Sequence, residues 1–103
     1  MTEEKRDSAR DTSFMDVSFE HEGLRFEGRI SDLSRGGFYI DTINPLSAGS
    51  LITFWFILPG GSEVPIAGEG RVAWQHPFLG MGVRFTWLSD EDRNQLERFL
   101  SHK

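Results

Sequence analysis

The residues best equipped for chemistry fall in two short polar motifs. The first is Arg6-Asp7-Ser8-Ala9-Arg10, two arginines four positions apart in a charged N-terminal stretch, with Lys5 just ahead of them. The second is Asp32-Leu33-Ser34-Arg35-Gly36-Gly37, an Asp-x-Ser-x-x-Gly segment between two strand-like runs. Guanidinium forks grip phosphate oxygens in pairs, and Asp32 and Ser34 add hydrogen-bonding groups for a base edge. Gly36 and Gly37 let backbone come close or turn to positive φ. This is a nucleotide-binding set with no catalytic group in it.

Taken alone, Arg-x-x-x-Arg carries little information. Nine arginines in 103 residues produce about one such pair by chance. A second copy stands at Arg25 and Arg29 with Glu27 between its members, and there a solvated, salt-bridged strand face is the better reading. The Asp-x-Ser-x-x-Gly spacing is rarer by about tenfold on the same independence argument, although its members are ordinary turn residues. The intervening chain is what joins the two motifs. A seven-residue strand out and a similar strand back return the backbone to its starting end. The segment with Arg6 and Arg10 then lies beside the one with Asp32 and Ser34.

The elements that must do this positioning follow from hydrophobic periodicity. Residues 1–13 show no apolar period and read as a mobile arm, followed by a folded unit over 14–103. From Phe14, alternation predicts strands near 14–20 and 24–31, with Leu24, Phe26 and Ile30 facing inward, joined by a turn at His21-Glu22-Gly23. Phe38-Tyr39-Ile40 makes a third strand. Leu51–Leu58 makes a fourth, apolar on both faces, expected to be central or half covered by the C-terminal helix. Val64–Trp74 alternates through Ile66, Gly68, Gly70, Val72 and Trp74, its glycines marking a bend or bulge; Met81–Thr86 is the last strand. Phe54, Trp55, Phe56 and Trp74 are assigned to the core in preference to a base-stacking platform; Phe78 and Trp87, near loops, are read either as a partly exposed partner surface or as rim packing against the helix. Ser89 followed by Asp92 opens a helix with a stripe of Leu96, Phe99 and Leu100. The expected fold class is all-β with a short C-terminal helix, a six-stranded antiparallel barrel.

Composition removes other classes. No cysteine is present, which excludes disulfides and thiolate metal sites. His21, His76 and His102 lack metal-ligand spacing, so neither a metal nor an enzymatic activity is expected. A net charge of −5 disfavours DNA and RNA as partners, yet leaves room for a small anion held by the local cluster of Lys5, Arg6 and Arg10. Phe54-Trp55-Phe56-Ile57-Leu58 is too short to insert in a membrane, and Met1–Arg6 lacks the apolar stretch of a signal peptide, so a cytoplasmic location is the default expectation.

With both motifs in this order, the sequence resembles the PilZ domain, the bacterial receptor module for cyclic di-GMP. Arg6 and Arg10 match its arginine arm, and Asp32, Ser34 and Gly37 match its Asp/Asn-x-Ser-x-x-Gly signature. Gly80-Met81-Gly82-Val83-Arg84-Phe85 and the helix after it resemble the family's C-terminal end. The likeness spans essentially the whole chain. It implies a six-stranded barrel whose arm wraps over bound cyclic di-GMP, with no further cofactor. Arg6 and Arg10 would contact phosphates and guanine edges, aided by Lys5. Asp32 and Ser34 would bind guanine or fix the loop, and Gly37, beside Gly36, would leave room for close approach. It also implies an effector protein as partner, in motility, pilus or exopolysaccharide control, and leaves a homodimer open. Two alternatives stand beside it: a PilZ-like interaction module that binds no nucleotide, and a small oligonucleotide-binding barrel.

Overall fold

Alternating apolar and polar residues become six strands and a helix in a computed structural model, which describes residues 15–60 and 64–101. The strands are β1 (Met15–His21), β2 (Leu24–Leu33), β3 (Gly37–Asp41), β4 (Leu51–Phe56), β5 (Ile66–His76) and β6 (Gly80–Leu88), followed by α1 (Asp90–Ser101). Neighbours pair antiparallel in the order β1-β2-β3-β6-β5-β4, and β4 returns to β1 to close a barrel. The anticipated class and element order are both present. Boundaries move by one or two residues; the change that bears on the site is that β2 runs on to Leu33, which draws Asp32 out of the expected turn and into a strand.

The β1–β2 hairpin closes with a two-residue loop, since His21 pairs with Leu24. Glu22 (φ 52°) and Gly23 (φ 83°) are both left-handed, the type I′ geometry whose twist matches the flanking strands. Inside the barrel, Val17, Phe19, Ile30, Leu33, Ile40, Phe54 and Ile66 are almost completely buried. Phe38 meets Phe54, Phe56 and Phe85 edge-on, with centroids 4.9, 5.7 and 5.4 Å apart. Leu24 departs from its expected inward position because it sits at the hairpin tip, beyond the end of the core, and is 64% exposed.

Three register irregularities let the sheet curl, between Ile30 and Asp32, between Glu69 and Gly70, and between Val72 and Trp74. An extra residue on one strand reverses the alternation beyond it. Ile30 and Leu33 therefore both point inward although three apart, while Asp32 points out. The same reversal corrects the expectation for Trp74: Val72 is buried, but Trp74 is 49% exposed on the outer face. Of the two readings of Phe78 and Trp87, exposure holds and rim packing does not. Of the aromatic run on β4, Phe54 and Phe56 join the core, whereas Trp55 faces outward beneath the Arg25 guanidinium at 4.9 Å.

Helix α1 starts as its sequence dictates. The Ser89 hydroxyl accepts from the Asp92 amide at 3.0 Å. Asp92 then does something the capping pattern did not suggest: its carboxylate accepts from the Ala67 amide at 3.2 Å, tying the first turn of the helix to the start of β5. Leu96 and Leu100, one turn apart, complete the core at that end. Each is 1% exposed. Leu96→Ala should lower stability by about 2–5 kcal/mol, the range for a buried leucine truncation. A urea denaturation curve checks this; an unmoved midpoint would show that the helix contributes nothing to the barrel.

Candidate functional site

The two outward bulges line up. Asp32 on β2 pairs with Tyr39 on β3, Tyr39 with Gly82 on β6, and Gly82 with Trp74 on β5. One row thus crosses four strands on the outer surface. Around it lies an open cleft of about 490 Å³, bordered by Ser31, Asp32, Ser34, Gly36, Gly37, Tyr39, Trp74 and Arg84 among others. Four residues singled out in the sequence, Asp32, Ser34, Gly36 and Gly37, meet in this one place. Lys5, Arg6 and Arg10 lie outside the described residues. Their chain enters the barrel at Met15, which pairs with Ile30, next to Ser31 and Asp32.

The turn that carries the motif is built from its own residues. Ser34 donates twice to the Gly37 carbonyl, from its amide at 2.9 Å and its hydroxyl at 3.3 Å. The Gly36 carbonyl accepts from the Phe85 amide at 2.8 Å, and Arg35 reaches Glu97 of α1 at 2.5 Å. The last is an exposed ion pair, of the kind that contributes at most about 1 kcal/mol. The turn is held at its neck, its outer strand and its tip. A Ser34 hydroxyl that donates inward still offers lone pairs outward.

The two glycines have different reasons to be glycine, and neither has a left-handed φ. A Cβ on Gly37 would stand 2.0 Å from the Val83 carbonyl oxygen. The demand at that position comes from β6, because Gly37 is the point where β3 is pressed onto its neighbour. A Cβ on Gly36 would meet nothing within 4 Å.

Tyr39, Trp74 and Arg84 border the cleft without having been singled out as site residues. Tyr39 shares a hydrogen bond of 3.0 Å with His76 Nδ1. Burial against the sheet and, secondarily, the nearby Asp41 carboxylate raise its pKa above the ordinary phenol value, so it stays a neutral hydroxyl. Arg84 is an exposed cation on β6. The signal that could have found this region is Gly82, a glycine in mid-strand, which marks a close approach on the sheet face. In the second arginine pair, Arg25 lies 3.4 Å from Glu27 and over Trp55, occupied on the strand surface as its sequence suggests. Among the described residues, no group of three or more His, Cys, Asp or Glu side chains could hold a metal. No helix among them is long and apolar enough to cross a membrane.

A six-stranded closed barrel with a polar cleft beside an Asp-x-Ser-x-x-Gly turn defines a ligand-binding module. The PilZ domain family model matches residues 4–102, and the chain belongs to that family. PilZ domains are receptor modules for cyclic di-GMP and adaptors rather than enzymes. Among solved structures, the chain is similar to the Bacillus subtilis inhibitor of motility MotI/DgrA, with 19% identity and a TM-score of 0.77 over 90% of this chain and 48% of that one. It spans about half the length of that protein. It is also similar to the PilZ domain of CeSA from a cellulose-synthesizing bacterium, with 18% identity and a TM-score of 0.67 over 90% of this chain and 95% of the other. At such identities these likenesses speak for the fold. No curated protein sequence matches.

The two glycines yield a paired test. Gly37→Ala should destabilise by about 1–3 kcal/mol, since backbone must shift to admit the methyl group, while Gly36→Ala should stay within about 0.5 kcal/mol of the parent. Thermal melts of both variants check the contrast. Equal melting temperatures would mean that the β3–β6 contact is not the constraint at Gly37.

Proposed function

We propose that this domain is a cyclic di-GMP receptor of the bacterial cytoplasm that binds its ligand in the Asp32–Trp74 cleft and signals to a protein partner. The observation that carries the reading is the β1–β2 register. With Met15 opposite Ile30, Arg10 lies five residues from the mouth of the cleft and Arg6 nine, covalent reaches of at most about 17 and 31 Å. Both guanidinium groups can therefore come to a ligand resting beside Asp32 and Ser34. In this arrangement the arginines take phosphates and the O6 and N7 acceptors, Asp32 takes the N1–H and N2–H2 donors, and Ser34 supports the loop or accepts from the base. Lys5 adds cationic charge at the same place.

The output in this proposal is the arm itself. Ligand bridging Arg6 and Arg10 to Asp32 and Ser34 draws residues 1–13 across the barrel and creates a composite surface for an effector, a change that requires none in the barrel. The process controlled is motility, pilus function or exopolysaccharide synthesis. The names of the two structural relatives, an inhibitor of motility and a domain of CeSA from a cellulose-synthesizing bacterium, are in keeping with this range.

Calorimetry with cyclic di-GMP tests the receptor reading directly. Saturable heat at tens of micromolar is expected, and folded protein that gives none would exclude it. Arg6→Ala or Arg10→Ala should weaken binding by roughly ten- to a hundredfold through lost charge-assisted bonds of ~1.5–3 kcal/mol, with the melting temperature nearly constant. Arg25→Ala should leave affinity unchanged. Amide hydrogen exchange over residues 1–13 reports on the output. Protection gained only with ligand is the expected pattern, and equal exchange in both states would remove the arm as the switch.

A further inference from the structure

The β5–β6 pairing sets two arginines face to face. Arg71 stands directly opposite Arg84, and both are exposed on the outer side of the barrel. Residues so placed hold their Cβ atoms roughly 5 Å apart, and like charges in that position work against the sheet. The chain has an excess of carboxylates that could compensate them, 16 Asp and Glu against 11 Lys and Arg. Yet among the described residues neither arginine makes an ion pair. Even Glu69, two residues along the same outer face of β5, pairs with neither. A repulsion left in place this way is relieved when an anion arrives.

The neighbouring strands decide where each guanidinium goes. The row that holds the pair runs from Leu51 on β4 through Arg71 and Arg84 to Gly37 on β3. Arg71 leans toward β4, where its Nη1 donates to the Gly49 carbonyl at 3.4 Å. Arg84 has Gly37 on its other side, a residue without a side chain, so room is left for it over the Asp-x-Ser-x-x-Gly turn. Arg84 accordingly borders the cleft. Of the described residues that border it, Arg84 is the single cation and Asp32 the single anion.

We propose that Arg84 is the barrel's own contact for a phosphodiester of the ligand, an inference that rests on the nucleotide-receptor reading of this cleft. Cyclic di-GMP carries phosphodiester anions, each with a pair of free oxygens that matches a guanidinium fork. Arg84 grips one of them from the sheet, across the cleft from Met15, where the segment with Arg6 and Arg10 joins the barrel. A neutral base edge can accept from the same fork, but only a charged group relieves the repulsion between Arg71 and Arg84. Arg71 stays on the β4 side and adds to the positive potential at that edge of the cleft.

The test titrates the full chain with cyclic di-GMP by calorimetry, at low and at high salt, in the parent and in Arg84→Ala and Arg84→Lys. Arg84→Ala should weaken binding by roughly ten- to a hundredfold. It should also flatten the salt dependence, because one charged contact is gone. Arg84→Lys keeps the charge without the fork and should recover part of the loss. Thermal melts should show Arg84→Ala level with the parent or slightly above it, since the charge opposite Arg71 is removed. Should Arg84→Ala fold poorly, Arg84→Gln replaces it as a neutral side chain with a similar stem. Affinity of the neutral variant within twofold of the parent's overturns the proposal and leaves the receptor reading standing. Weakened binding that keeps the parent's full salt dependence assigns Arg84 to an uncharged base edge and overturns the phosphodiester contact. A folded parent that binds no cyclic di-GMP overturns both.

Discussion

Closing six strands into a small barrel is the constraint on which the rest of this structure depends. The interior must be filled by side chains without voids, and the sheet must curl enough for β4 to reach β1. Filling is done by the phenylalanines around Phe38 and by the leucines of α1. Curling is done by the register irregularities at Ser31, at Glu69–Gly70 and at Ala73. Two of these three turn a cleft-lining side chain to the outer face, Asp32 in one case and Trp74 in the other. The cleft is thus a consequence of closure and not an addition to it.

In the proposed receptor, this explains how an acidic chain can offer a site for an anion. The formal charge of −5 belongs to the whole sequence, and exposed charges farther apart than a Debye length of roughly 8 Å hardly feel one another. Local composition is what counts at the cleft. Arg84 stands on one side of it, and the segment with Lys5, Arg6 and Arg10 joins the barrel on the other, at Met15. Asp32 opposes that cationic set, and an acidic residue there makes sense when the ligand brings donors as well as phosphates.

Much of this was legible in the sequence, and the remainder was hidden for identifiable reasons. Period-two alternation disclosed the strands, and Ser89 disclosed the start of the helix, because both signals are local. The joining of the Asp-x-Ser-x-x-Gly turn to the end of β1 was also legible, since hairpin length fixes register. Bulges are different. Nothing local states that Ser31 and Ala73 are the extra residues, and a slip of one residue exchanges the inner and outer faces of everything beyond it. Trp74 was consequently read as core. Gly37 was read as space for a ligand, whereas its hydrogen is needed by the Val83 carbonyl on a strand 46 positions away in sequence. The roles of Asp92 toward Ala67 and of Arg35 toward Glu97 were invisible for the same reason: both are contacts between elements.

Energetics show why both halves of the proposed site are needed. The barrel side is preorganised, with the turn bonded at Ser34, Gly36 and Arg35 before any ligand arrives. Ordering costs there are small. In the proposed receptor they fall on the arm, where fixing the backbone of residues 6–14 costs on the order of 9–18 kcal/mol. Four charge-assisted bonds from two arginines return only about 6–12 kcal/mol. By these figures the arginines alone offset the ordering cost only at the favourable ends of both ranges. In that proposal the balance comes from surface that is already rigid, and Asp32 and Ser34 lie on the described face of the barrel. A receptor built this way operates near the point where gain and cost cancel. In the proposed receptor each individual contact therefore weighs heavily on affinity.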